Sequence, residues 1–296
     1  MGAARFDVYA PLQDFYWDGD EFAIAPGIRI QRFARSPDLS GLHEWIAKDE
    51  WDRASGASHW LTFPWAAGTL PSAGDVGTLV LVSLWLVKPM RAQIAFRFQI
   101  GRDDGGAEKS RQRLLDRFAW MPGSIKPDFE DCDLELARTF YGSLATVYAA
   151  GGRLNDALLL TISGCWSHAW QVALICHAAA AEALLTYATK SRITRRLAVT
   201  FACLTESDSA HRNAAFTEFV QLYGIRSDIM HGRAYNIARS ERLPVLSRFQ
   251  QGLRKLWTVI LSSPRLMNVL EEDDAHRAAF FEELQRGYTP TVDDAG

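Results

Sequence analysis

Between Trp166 and Ala188 the chain carries a single charged side chain, Glu182, in a run otherwise made of apolar, small and uncharged residues. Traced back to residue 154, the low polarity is broken mainly by Asn155, Asp156, His168, Gln171 and Glu182. A helix that is apolar nearly all round must be enclosed by other apolar elements. This stretch therefore predicts the centre of a helical bundle, not a surface helix. Glutamate is rarely buried without a partner, so Glu182 calls for a cation or a donor beside it.

The chain divides by composition near residue 128. Before it lie Gly, Pro, aromatics and short alternating runs, such as Phe22-Ala23-Ile24-Ala25, Ile28-Arg29-Ile30 and Gln93 to Ile100, which read as strands. After it, segments 131–149, 154–163, 166–188, 191–204, 209–230, 243–261 and 272–286 read as helices, the first opened by Asp131 or Asp133 as a cap. The predicted class is α+β: a strand-rich amino-terminal domain over 1–127, an all-α bundle over 128–287 and a frayed tail over 288–296. Tryptophans 17, 45, 51, 60, 65 and 85 serve either as core of the first domain or as a recognition surface.

Several classes are excluded by what the chain lacks. It has no phosphate-binding Gly-x-x-x-x-Gly-Lys-Ser/Thr loop, no Gly-x-Ser-x-Gly elbow, no His-Glu-x-x-His and no dinucleotide fingerprint. The acidic pairs Asp18/Asp20, Asp103/Asp104 and Asp131/Asp133 fit turns and caps better than a metal centre. Cys132, Cys165, Cys176 and Cys203 have neither zinc spacing nor the density of a disulfide scaffold, which predicts free thiols in a reducing cytoplasm. No cofactor and no metal are expected. Val76 to Val87 is apolar but well short of the roughly 20 residues that span a bilayer, so it predicts a buried element and no membrane partner.

The segment Leu222-Tyr223-Gly224-Ile225-Arg226-Ser227-Asp228-Ile229-Met230-His231-Gly232 concentrates the chemistry. Phe216, Phe219, Val220, Tyr223, Ile225 and Ile229 recur at three- and four-residue spacing, the apolar stripe of a helix, and Gly232 offers a left-handed stop. Arg226 and His231 then lie about 140° apart around the axis and flank a groove rather than stack. Arg53 and His59 have a similar spacing, but Arg-Ala-Ser-Gly-Ala-Ser-His reads as a loop without helical period.

The residue types themselves suggest a reaction. RNA carries its own nucleophile, the 2′-hydroxyl, so cleavage needs a proton acceptor and a group that stabilises charge on the phosphate. His231 exchanges protons near neutral pH, and the planar fork of Arg226 matches phosphate oxygens. The products would be a 2′,3′-cyclic phosphate and a 5′-hydroxyl. From Lys190 to Lys255 there are twelve basic residues against five acidic ones, in a chain of net charge −3. Such a block fits either a polyanionic ligand or a solvated helical face. Arg195, Arg196 and Arg233, with Ser227, Tyr235 and Arg239, are the candidate RNA contacts, Tyr235 by stacking on a base. Plainer roles stand beside these: His231 as a helix cap, Arg226 in a structural pair with Asp228 or Glu182, and Glu182 as that pair's acid.

Tyr-x-x-Arg-Ser-Asp-Ile-x-His-Gly, with Glu182 in Ala-Glu-Ala-Leu-Leu and the arginine-bearing stretch from Ile193 to Leu204, resembles the Apea-like branch of the HEPN ribonucleases over residues 130 to 262. The resemblance implies a HEPN-type bundle that cleaves RNA without metal, with Arg226 and His231 catalytic and Glu182 orienting one of them. It also implies a homodimer whose two motifs share one cleft, and a toxin-like role in bacterial abortive infection or antiphage defence. The first domain would then be a sensing module for a regulatory protein or phage trigger. Ser227 departs from the Asn, Asp or His that many HEPN motifs carry after the arginine. A non-catalytic module that binds RNA or a protein partner is the alternative.

Overall fold

Period-two alternation builds the first part of the chain. In strand β1 (Arg5–Leu12) Val8, Ala10 and Leu12 turn inward, and in β5 (His59–Ala66) His59, Trp60, Leu61 and Phe63 are buried. The other strands are β2 (Tyr16–Trp17), β3 (Glu21–Ala25), β4 (Ile28–Arg32), β6 (Phe96–Arg102), β7 (Glu108–Leu115) and β8 (Asp128–Phe129). The computed structural model describes residues 5–33, 48, 51–52, 56–69, 71–90, 92–102, 108–115, 128–187, 193–233 and 237–290. Six strands form one antiparallel sheet in the order β3-β4-β5-β1-β6-β7, with Val8 opposite Phe63 on one side and Gln99 on the other. β2 and β8 form a separate parallel pair.

The apolar run after residue 73 is helix α1 (Ala73–Val87), opened by a capping box between Ser72 and Asp75 and buried from Val76 to Leu86. Trp60 and Trp85 are fully buried and Trp17 nearly so, which makes these three tryptophans core. Trp45 lies outside the described residues.

The chain separates into two compact units, Met1–Ala149 and Ala150–Gly296. The division expected at 127/128 thus moves downstream, because helix α2 (Asp131–Ala150) is tied to the strand-bearing unit. Trp17 Nε1 donates to Asp131 at 2.9 Å, Lys88 Nζ donates to the Asp128 carbonyl at 3.0 Å and pairs with Asp133, and Arg138 lies over the Phe22 ring. The stripe Leu134, Ala137, Tyr141 and Leu144 marks an amphipathic helix in either setting; only its partners decide which unit owns it.

The second unit is all-helical: α3 (Gly152–Trp166), α4 (Trp170–Leu185), α5 (Ile193–Thr205), α6 (Ser209–Met230), a 3-10 turn (Arg239–Glu241), α7 (Arg242–Leu261), α8 (Pro264–Glu271) and α9 (Asp274–Leu284). Both expectations of a mixed α+β chain and of α4 as a central helix agree with this arrangement. Helix α4 buries Ala173, Leu174, His177, Ala178, Ala181 and Leu184. Gly164 of α3 permits the close approach, since a Cβ there would lie 2.5 Å from the His177 ring. From α7, Gln250 meets His177 Nε2 at 3.0 Å and Trp257 donates to Thr161 at 3.0 Å. Helix α8 was not foreseen, although Ser263 caps it and Pro264 opens it. Nor does the tail begin at 288: the Tyr288 hydroxyl donates to Asn213 at 3.0 Å. Among the described residues no helix is long and apolar enough to cross a membrane.

Candidate active site at the end of helix α6

Asp208 opens α6 by accepting the His211 amide at 3.0 Å. Phe216, Phe219, Leu222 and Tyr223 bury the helix, whereas Ile225 and Ile229 are only half-buried and Met230 is exposed, so the stripe loosens toward the motif. The helix ends as Gly232 predicts. His231 is the C-cap, Gly232 takes φ +62°, and the amides of Gly232 and Arg233 donate to the carbonyls of Ile229 (3.2 Å) and Asp228 (2.9 Å). These two bonds make a Schellman stop that fixes where the imidazole leaves the helix.

Glu182 on α4 is the partner that brings the motif to the central helix. Its Oε1 lies 2.8 Å from Arg226 Nη2 in an ion pair and accepts from the Tyr223 hydroxyl at 2.7 Å. The guanidinium lies 5.2 Å from the centre of the Tyr223 ring, an arrangement that adds a cation–π attraction. Tyr223 and Arg226 are three residues apart on one helix face, which is why both reach the same carboxylate oxygen. Burial first, and the Glu182 carboxylate second, push the Tyr223 phenol well above its ordinary range. It stays a protonated donor at any physiological pH.

Arg226 is neither sealed nor free. Its side chain is 20% exposed, and that of Glu182 25%. Glu182 pairs with one terminal nitrogen of its guanidinium, and the buried Nε–H has no partner among the described residues. Asp228, the other acid considered for Arg226, instead faces Arg233 at a long 3.8 Å. The His231 ring is exposed at the helix end.

The remaining candidate residues scatter around this core. Ser227 is half-buried, and its carbonyl accepts the His231 amide at 3.0 Å. Arg195 stands over the Phe216 ring and Arg196 over that of Tyr187, at 5.9 and 4.4 Å. Arg233 and Arg239 are exposed, while Tyr235 lies outside the described residues. The structure therefore brings Glu182, Tyr223 and Arg226 into contact and leaves His231 one helical turn further on. The Tyr223 hydroxyl was missed because its ring satisfies the apolar stripe; a tyrosine three residues before an arginine was the available signal. A nearby, mostly apolar cleft lined by Phe201, Phe219, Phe249 and Leu253, with Glu218 and Arg248, meets the motif segment at Leu222 and includes neither Arg226 nor His231.

Comparison of the chain with family models, with curated proteins and with solved structures finds no match.

Proposed function

We propose that the helical unit is a metal-independent endoribonuclease of HEPN type, in which Arg226 holds the scissile phosphate and His231 moves protons. The observation that carries this reading is a guanidinium paired with Glu182 yet a fifth exposed to solvent, one turn before an exposed imidazole. A fixed guanidinium loses less rotamer freedom when it engages phosphate, and its remaining donors match the charge that builds there in the transition state.

In this mechanism the neutral His231 imidazole takes the proton from a ribose 2′-hydroxyl. The 2′-oxygen bonds to phosphorus, Arg226 donates to a non-bridging oxygen, and the bond to the 5′-oxygen breaks with a proton delivered to the leaving group. A second imidazole, His231 of another copy, supplies that proton in a homodimer with a shared cleft. Arg233 and Arg239, both exposed, would steer the polyanion. We place the enzyme as a toxin-like effector of bacterial antiphage defence, with the strand-bearing unit as its sensing module.

The same ion pair favours a second reading. Glu182, Tyr223 and Arg226 brace α4 to α6, which is also what a non-catalytic RNA- or protein-binding module needs. RNA cleavage by wild type, Arg226→Ala and His231→Ala in EDTA separates the two. The nuclease reading expects activity that resists chelation and falls at least about 100-fold in each variant. Activity that survives both substitutions, or is lost to EDTA, contradicts it. Stable RNA binding with no cleavage by wild type points to the binding module.

A further inference from the structure

The chain leaves the strand-bearing unit at Ala149, and the corner into the helical unit is made by two glycines. Gly151 takes φ 70° with ψ −151°, a region that residues with a Cβ avoid, and Gly152 takes φ 80°. Consecutive glycines are where a chain turns against the least steric resistance. Gly151 has no side chain with which to cap helix α3, so the cap comes from far downstream. Glu271, the last residue of α8, accepts the amides of Arg153 at 3.1 Å and Leu154 at 2.6 Å. A Cβ on Gly152 would collide with that carboxylate. The start of α3 is thereby fixed within the helical unit, and turning is confined to the two glycines.

From this corner a chain of polar contacts runs to the candidate site. Arg153 Nη2 donates to Asp274 Oδ1 at 3.3 Å, and Arg277 Nη1 donates to the same oxygen at 3.4 Å. Arg277 Nη2 donates to the Thr186 carbonyl, and the Thr186 amide donates to the Glu182 carbonyl at 2.8 Å, closing the last turn of α4. The Glu182 side chain then pairs with Arg226.

Both bonds to Asp274 are long for charge-assisted ones, which reach about 2.7–2.9 Å. Two cations share one oxygen, and each keeps the other from closing on it. Arg277 feels its neighbour: burial first, and the Arg153 charge second, pull its guanidinium down to about 10. Once Arg153 leaves, Asp274 closes on Arg277. The Arg277 side chain has no exposed surface, so a shift of its guanidinium is passed to the Thr186 carbonyl that it holds.

We propose that the Gly151–Gly152 joint regulates the candidate site: a pull arriving along α2 turns the joint, takes Arg153 off Asp274, and reaches the Glu182–Arg226 pair through Arg277 and the end of α4. The strand-bearing unit then acts on the motif through the chain itself. The proposal rests on the nuclease reading only for what the pair does next, and the coupling stands or falls without RNA.

Hydrogen exchange read by mass spectrometry on the intact protein, with no RNA present, tests the coupling in the peptide spanning 182–187. Arg153→Ala is expected to slow exchange there at least about 3-fold, because Asp274 tightens on Arg277. Glu271→Gln, which loosens the start of α3, is expected to speed exchange over 152–156 and to slow it over 182–187. In an Asp274→Asn background neither substitution is expected to change 182–187. Arg265→Ala, which removes an exposed charge elsewhere on α8, is the control that leaves both peptides as they are. Exchange over 182–187 that is unchanged or faster in Arg153→Ala or in a folded Glu271→Gln protein, or a response that persists without Asp274, overturns the proposal. Should Glu271→Gln fail to fold, Arg153→Ala decides alone. Absence of RNA cleavage in every variant would sink the nuclease reading and leave this result untouched.

Discussion

Two arginines meet the last turns of helix α4 and differ in how far solvent reaches them. Arg277 of α9 is fully buried, donates to the Thr186 carbonyl at the end of α4, and reaches Asp274 at 3.4 Å. Arg226 of α6 reaches Glu182 one turn earlier but keeps a fifth of its side chain in solvent. The first guanidinium closes a helix end whose carbonyls would otherwise be unsatisfied. The second is positioned without being enclosed, the state expected of a cation that waits for a ligand. An arginine–carboxylate contact alone therefore says little about role. Burial and the kind of acceptor separate the two.

Truncation should break this comparison most visibly at Arg277. Arg277→Ala leaves the part-buried Thr186 carbonyl without its donor and a gap where a fully buried side chain stood, and is expected to cost about 3 kcal/mol, while Arg226→Ala, screened by solvent, costs about 1 kcal/mol. Urea midpoints of the two variants measure the difference. Equal losses would mean that Arg226 is as structural as Arg277.

Histidines extend the contrast between sealed and open. Burial pushes His177 down to about 3, against about 6.5 in an unfolded chain. Its folded state is neutral, so its contribution is fully present above the unfolded value and is lost as pH falls below it. Between about pH 6.5 and 5 the loss is roughly 2 kcal/mol. Thermal melts at the two pH values check this, with His177→Gln expected to flatten the dependence.

Tyr223→Phe sharpens the comparison at the motif itself. It removes the second donor to Glu182 and costs about 1 kcal/mol of stability. Cleavage is expected to fall further than that loss explains, because Glu182 can then turn away from the position that holds Arg226. The smallest effect is assigned to Arg233→Ala, whose exposed 3.8 Å pair with Asp228 adds nothing measurable to stability. RNA affinity in low salt should nevertheless drop, with a shallower salt dependence.

How much of this was legible in the sequence follows from how local each signal is. The bounds of α6, its stop at Gly232 and the central place of α4 depend on helical period, capping and charge depletion, all visible along the chain. The membership of α2 was not visible, because it rests on Trp17, Phe22 and Lys88, far upstream. Glu182 announced a need for a partner, and Arg226 was named with Asp228 or Glu182 as its acid; long-range packing chose Glu182 and added Tyr223. His59 was set aside because the stretch from Arg53 reads as a loop, yet its neighbours Ser58 and Gly19 give it a defined tautomer that no periodicity encodes.

The central claim is that the RNA supplies the nucleophile while Arg226 and His231 supply charge and protons. An oligonucleotide cleaved by the wild-type protein at one phosphodiester, compared with the same oligonucleotide carrying a single 2′-deoxyribose on the 5′ side of that bond, tests it directly by mass spectrometry of the products. The expected result is a 2′,3′-cyclic phosphate and a 5′-hydroxyl from the first and no cut at that bond in the second. Cleavage of the deoxy-substituted bond, or products ending in a 5′-phosphate and a 3′-hydroxyl, would contradict the account.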